Sequence, residues 1–77
     1  MSWNFRVLVK EHNNELYFDV HEVYYKDGIP DSYTMNPITI GSDDIEGLKW
    51  MLNKINEGLN KPFLWSGEKF PQEYTSI

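Results

Sequence analysis

Asp19, His21 and Glu22 are the residues of this chain whose types and spacing could do chemistry. They lie in the run Tyr17-Phe18-Asp19-Val20-His21-Glu22-Val23-Tyr24-Tyr25, rich in aromatic and β-branched residues. On an extended strand Asp19 and His21 stand at i and i+2, on the same face as Tyr17. An imidazole beside a carboxylate can move a proton or bind a metal, and His12 in the preceding turn could come near. A metal centre, however, needs three or four oriented ligands, and no His-x-His or His-Glu-x-x-His spacing is present. An exposed cross-strand polar pair accounts for the same residues. No catalytic residue or metal ligand is assigned, and no cofactor is expected.

Glu22 raises a separate question. Strict alternation puts it in the row of Phe18, Val20 and Tyr24, which should face the core. A carboxylate buried there must be paired, hydrogen-bonded or protonated. A β-bulge at His21-Glu22 would instead turn Val23 and Tyr25 inward and Glu22 outward.

The elements that position these residues are legible in the pattern. Trp3, Phe5, Val7 and Val9 alternate with Asn4, Arg6 and Lys10, the period of a half-buried strand over Trp3 to Lys10. Glu11-His12-Asn13-Asn14 is a polar turn in which Asn adopts positive φ at little cost. A second strand from Glu15 to Tyr25 returns antiparallel, and Lys26-Asp27-Gly28 closes it with a turn signal. Pro30 delays the third strand to about Ser32, and Pro37 ends it.

Gly41-Ser42-Asp43-Asp44 supplies capping acceptors and carboxylates for a helix start. Ile45, Leu48, Leu52, Ile55 and Leu59 then recur at spacings of three and four, a narrow apolar stripe on about four helical turns. Asn60-Lys61-Pro62 stops the helix. Phe63-Leu64-Trp65 is expected to form a short fourth strand or an apolar clasp.

The expected fold is α+β in the order β-β-β-α: a three-stranded antiparallel sheet with one helix on one face, and a short C-terminal strand as an option. Residues 1–65 form one domain, and 66–77 read as a polar, flexible tail. The inner row would be Trp3, Phe5, Val7, Val9, Phe18 and Val20 set against the helix stripe. The other face would carry Leu8, Tyr17, Val23 and Tyr25 among Arg6, Asp19 and His21.

Trp50 lies on the helix nearly opposite its apolar stripe, among Glu46, Lys49 and Glu57. A tryptophan on a polar helix face is either covered or used for contact. Its cover would be the C-terminal segment with Phe63, Leu64, Trp65 and Phe70. As a contact residue it would join Tyr17, Val23, Tyr25 and Trp65 as an interface set.

Composition narrows the function classes. At 77 residues a chain buries only about 60% of its unfolded surface. It has no cysteine, so disulfides and thiolate chemistry are excluded. Net charge is -5, and the seven Lys and Arg are scattered, so no nucleic-acid partner and no anionic membrane surface is expected. Neither a membrane-spanning run nor a signal peptide is evident, which makes the cytoplasm the expected location. There is no phosphate-cradling loop and no nucleophile elbow.

The run His21-Glu22-Val23-Tyr24-Tyr25, followed by Asp27-Gly28, Pro30 and Tyr33-Thr34, resembles a family of small uncharacterised bacterial proteins. Leu48-Lys49-Trp50 in the helix and the Leu59, Lys61 and Pro62 close extend the likeness across roughly Phe5 to Leu64. The resemblance implies a bacterial, cytoplasmic protein and no particular activity. From the residues themselves the leading expectation is a binding domain acting on a protein partner or on itself, as a homodimer. A small enzyme or ligand-binding domain around Asp19, His21 and Glu22 is the alternative. An acidic, antitoxin-like regulator fits the charge but has no motif.

Overall fold

The computed structural model describes residues 2–75. The elements in chain order are β1 (Ser2–His12), β2 (Glu15–Lys26), β3 (Ile29–Tyr33), α1 (Ile45–Leu59) and β4 (Leu64–Trp65), followed by a single 3-10 turn at Gly67–Lys69. They build one mixed sheet in the order β3-β2-β1-β4. The first three strands are antiparallel, and β4 lies parallel to β1 through Leu8 and Val9. The fold is α+β, as the hydrophobic periodicities indicate.

Two tight turns set the register. Asn13 and Asn14 take φ of 52° and 65°, and Asp27 and Gly28 take 53° and 78°. Pairs of left-handed residues match the twist of the flanking strands, and Asn, Asp and Gly reach that region most cheaply. The first turn pairs His12 with Glu15, Lys10 with Tyr17, Arg6 with His21 and Phe5 with Glu22, without interruption. Alternation therefore continues through His21 and Glu22, and the bulge falls elsewhere. It lies between β2 and β3, where Tyr24 faces Ser32 and Tyr25 faces Pro30, leaving Asp31 as the extra residue. β3 begins at Ile29 rather than near Ser32, since a proline is tolerated on the outermost strand of a sheet. Beyond Tyr33 the chain still follows β2, with Thr34 N–H donating to the Glu22 carbonyl and Ile38 N–H to that of Val20.

The helix starts where the capping residues place it. Asp44 is extended, and its Oδ1 accepts from the Gly47 N–H at 2.7 Å. Its seating differs from the expected stripe. Ile55 and Gly58 are the buried residues, with Leu48 and Met51 half-buried, whereas Ile45, Leu52 and Leu59 are exposed. The cause is Gly58, which lies so close to β1 that a Cβ there would overlap the Phe5 carbonyl oxygen. Seating on the line 48-51-55-58 rolls the helix off its 45-52-59 edge.

The core is also distributed differently. Phe5, Val7 and Val9 are buried as expected, but Trp3 and Phe18 remain 45% exposed. A second cluster occupies the opposite sheet face: Leu8, Val23 and Leu64, with Tyr25, Tyr33 and Phe70 packed against it. The cover comes from residues 66–75, which fold back onto the sheet rather than trailing as a tail. Ser66 N–H donates to the Val9 carbonyl, Trp65 N–H to Gln72, and Tyr74 N–H to Phe63. Phe70 stacks at a tilt on Tyr33, with ring centroids 4.7 Å apart, and the Gly67 N–H donates to the Tyr33 hydroxyl. Isolated aromatics in a polar segment thus become anchors. Ser76 and Ile77 lie outside the described residues.

Candidate functional site

The polar cluster forms on the face closed by that C-terminal segment. β2 presents Asp19 and His21 on one side, and β1 adds Lys10, diagonal to Asp19 across the hairpin. His21 is fully buried. Its Nδ1 lies 2.9 Å from the Thr34 carbonyl oxygen and 3.1 Å from Thr34 Oγ1. Thr34 Oγ1 itself donates to the Asn36 carbonyl, so both Thr34 oxygens are acceptors and Nδ1 carries the proton. Nε2 is then the acceptor for Lys10 Nζ at 3.0 Å. Lys10 Nζ also donates to Asp19 Oδ2 at 2.9 Å.

This arrangement leaves Asp19 Oδ1 buried without a hydrogen-bond donor, 3.2 Å from the unprotonated Nε2. The cluster is therefore a cation shared by two acceptors, and its lysine is the only member with substantial exposure. Each hydrogen bond of Lys10 and His21 ties β1, β2 and the segment after β3 to one another. His21 itself presents no surface to solvent.

Glu22 stands on the other face, opposite Phe5, and does not join Asp19 and His21. It is half-buried and accepts a hydrogen bond from the Tyr24 hydroxyl at 3.1 Å. That bond holds the Tyr24 proton and raises its pKa above the usual tyrosine value; partial desolvation and the Glu22 charge act in the same direction.

The remaining expected contact residues separate. Tyr17 is exposed opposite Lys10. Val23 is fully buried among Leu8 and Leu64, so it belongs to the core and presents nothing to a partner. Tyr25 packs on the same cluster, and its hydroxyl accepts from Arg6 at 2.6 Å. Arg6 is itself buried and donates to the Pro62 carbonyl at 2.6 Å. Trp65 pairs beside Val9 on the outer strand, edge-on to Tyr74 at 5.3 Å and capped by Lys69 Nζ at 4.4 Å from its ring.

Trp50 is 50% exposed, and among the described residues none beyond Lys61 lines the cleft beside it. It lines a cleft of about 260 Å³ together with Trp3, Phe5, Asn4, Lys54 and Lys61. Lys54 Nζ stands 6.0 Å from the Trp50 ring and 3.7 Å from Glu57. A shallower hollow continues from it along Trp3, Asn4 and Lys61 to Arg6 and Tyr25. Lys54, Lys61 and Glu57 line the cleft beside the two tryptophans, while Arg6, itself buried, borders only the adjoining hollow. Alternation alone put Trp3 in the core. That a cleft stays open between Trp3 on β1 and Trp50 on α1, beside the Gly58 contact, could not be read from the pattern.

Among the described residues no helix is long and apolar enough to cross a membrane, and no three His, Cys, Asp or Glu side chains gather as a metal site. Family models, curated proteins and solved structures were all compared with the chain, and none matches it.

Proposed function

We propose that the chain is a protein-interaction domain and that the cleft between Trp3 and Trp50 is its contact surface for a partner. The observation that carries this reading is the half-exposure of both indoles across one concave surface. Tryptophan supplies large apolar area with few rotamers to freeze, which is why it is enriched where binding energy concentrates. The Lys61 ammonium at the rim favours a partner segment that brings an apolar side chain with an acidic group beside it. The family resemblance would place this contact in the bacterial cytoplasm.

The competing reading, an enzyme or ligand site around Asp19, His21 and Glu22, loses support because His21 has no exposed surface and Glu22 lies on the opposite face. An acidic regulator would rest on net charge alone.

The test is capture from a bacterial lysate by the immobilised chain, in parallel with its Trp50→Ala variant. A protein retained by the first, lost by the second and rebinding when purified would support the reading. Identical retention by both would sink it.

A further inference from the structure

The first strand holds a buried charge that has no counter-charge. Arg6 is 7% exposed, and its Nη1 donates to the Tyr25 hydroxyl and its Nη2 to the Pro62 carbonyl, both neutral acceptors. Its Nε is buried with no acceptor among the described residues. Nor does any carboxylate pair with it there, although the chain has twelve Asp and Glu. A guanidinium taken out of water without an anion is costly to hold. Two residues earlier and on the same face, the Oδ1 of Asn4 is buried without a donor. One strand thus carries an orphan donor and an orphan acceptor side by side, groups that in folded proteins nearly always find partners.

Both side chains border the hollow that runs from the tryptophan cleft toward Tyr25. Ser2, Trp3, Tyr25 and Lys61 complete its lining, so it contains two cations and no acid. Lys61 is exposed and forms no ion pair among the described residues. Trp3, Asn4 and Lys61 line the cleft as well, which joins the two concavities across the edge of β1. β4 occupies that edge only at Leu8 and Val9, so Ser2 to Arg6 have no strand beside them there among the described residues.

We infer that the hollow is a subsite for the free C-terminus of a partner polypeptide ending in an apolar residue. The inference rests on the reading of the tryptophan cleft as a contact surface and names the chemistry of the partner. A terminal carboxylate supplies the anion that Arg6 and Lys61 lack, and such charge-assisted hydrogen bonds are about twice as strong as neutral ones. The N–H of the same terminal residue is a donor for Asn4. The apolar side chain, carried on the carbon between them, enters the space between Trp3 and Trp50. An acidic side chain or an inorganic anion brings negative charge alone, whereas a chain end presents carboxylate, N–H and apolar group around one carbon. The orphan atoms lie just beneath the surface, so the half-buried Asn4 side chain turns to meet the ligand. Capture of a terminal carboxylate is a recurring mode of peptide recognition.

The probes are acetyl-Gly-Gly-Leu and acetyl-Gly-Gly-Phe, each as free acid and as C-terminal amide, titrated into the isotope-labelled chain. With the acids, the Arg6 Nε–H signal and the Trp3 and Trp50 indole signals should shift together, and each acid should bind about tenfold more tightly than its amide. Replacing the buried Arg6 endangers the fold, so the exposed Lys61 carries the mutational arm. Lys61→Ala should weaken binding of the acids about threefold and leave the amides unchanged.

Acid and amide of equal affinity overturn the inference. So does inorganic phosphate that binds as tightly as the acids, since the hollow is then a general anion site. No shift at millimolar peptide overturns it as well, and water then serves the two orphan groups. The tryptophan reading fails separately. Equal binding of acid and amide that still moves both indole signals leaves it standing, whereas lysate capture indifferent to Trp50→Ala removes it whatever the peptides do.

Discussion

The Nδ1 of His21, in the middle of β2, lies 2.9 Å from the carbonyl oxygen of Thr34, one residue past the end of β3. A fully buried ring thus anchors the chain where regular strand pairing stops and the return toward the helix begins. Replacing His21 with Phe keeps an aromatic ring of similar size but removes both hydrogen-bonding nitrogens, leaving the Thr34 carbonyl and Lys10 without this partner. The expected loss is about 2–4 kcal/mol in urea unfolding. Tyr17→Ala, on an exposed side chain nearby, should change stability by no more than about 0.5 kcal/mol. Equal effects would mean that the polar cluster contributes nothing special.

Gly58 and Gly47 give expectations of different size for one substitution. Alanine favours a helix over glycine by about 1 kcal/mol. At Gly58 the new Cβ would overlap the Phe5 carbonyl, a backbone atom within the sheet, so α1 must lift off β1. Gly58→Ala should cost about 2 kcal/mol net despite the propensity gain. At Gly47 the crowded atoms are Ser42 Oγ and Asp44 Oδ1, the ends of side chains near the helix start. Gly47→Ala should therefore cost less than Gly58→Ala. Thermal melts of the two variants check the order, and a stabilised Gly58→Ala would contradict the close seating.

Phe70 supplies the test of the C-terminal segment. Its ring rests on Tyr33 beside the Leu8-Val23-Leu64 cluster. Phe70→Ala should lose about 1–3 kcal/mol, a partial version of the cost of emptying a core aromatic site. Removing residues 67–77 should do more, because it also unpairs Trp65 and Phe63 from Gln72 and Tyr74. If the truncated chain melts like the full one, the segment is not part of the domain.

Tyr24 and Glu22 predict a titration. The hydrogen bond to Glu22 raises the Tyr24 pKa, so the folded chain holds that proton more tightly than the unfolded one. The stability linked to it is fully present below the ordinary tyrosine range and is lost as pH rises through the raised value. Glu22→Gln should bring the phenolate titration, followed by ultraviolet absorbance, down toward the ordinary value. No movement would exclude Glu22 as the cause.

Local chemistry determined much of this protein. Alternating residues specified β1 and β2, Asn13-Asn14 and Asp27-Gly28 specified their turns, and Asp44 with the Ile45-to-Leu59 spacing specified the helix. All of these follow from preferences acting over a few neighbouring residues. The hairpin register even placed Asp19 and His21 on one face. Tertiary contacts decided the rest. Whether that face was wet or closed depended on Tyr33, edge-on to His21 at 5.5 Å, and on Phe70 behind it, some fifty residues downstream of Asp19 and His21, and Lys10 joined them only through cross-strand geometry. The helix stripe indicated which side is apolar, but Gly58 against Phe5 chose which part of it is buried. That choice left Trp50 beside Trp3 on one side and the exposed 45-52-59 edge on the other. A periodic pattern encodes a preference for burial; only the assembled chain determines which of the competing apolar surfaces finds a neighbour.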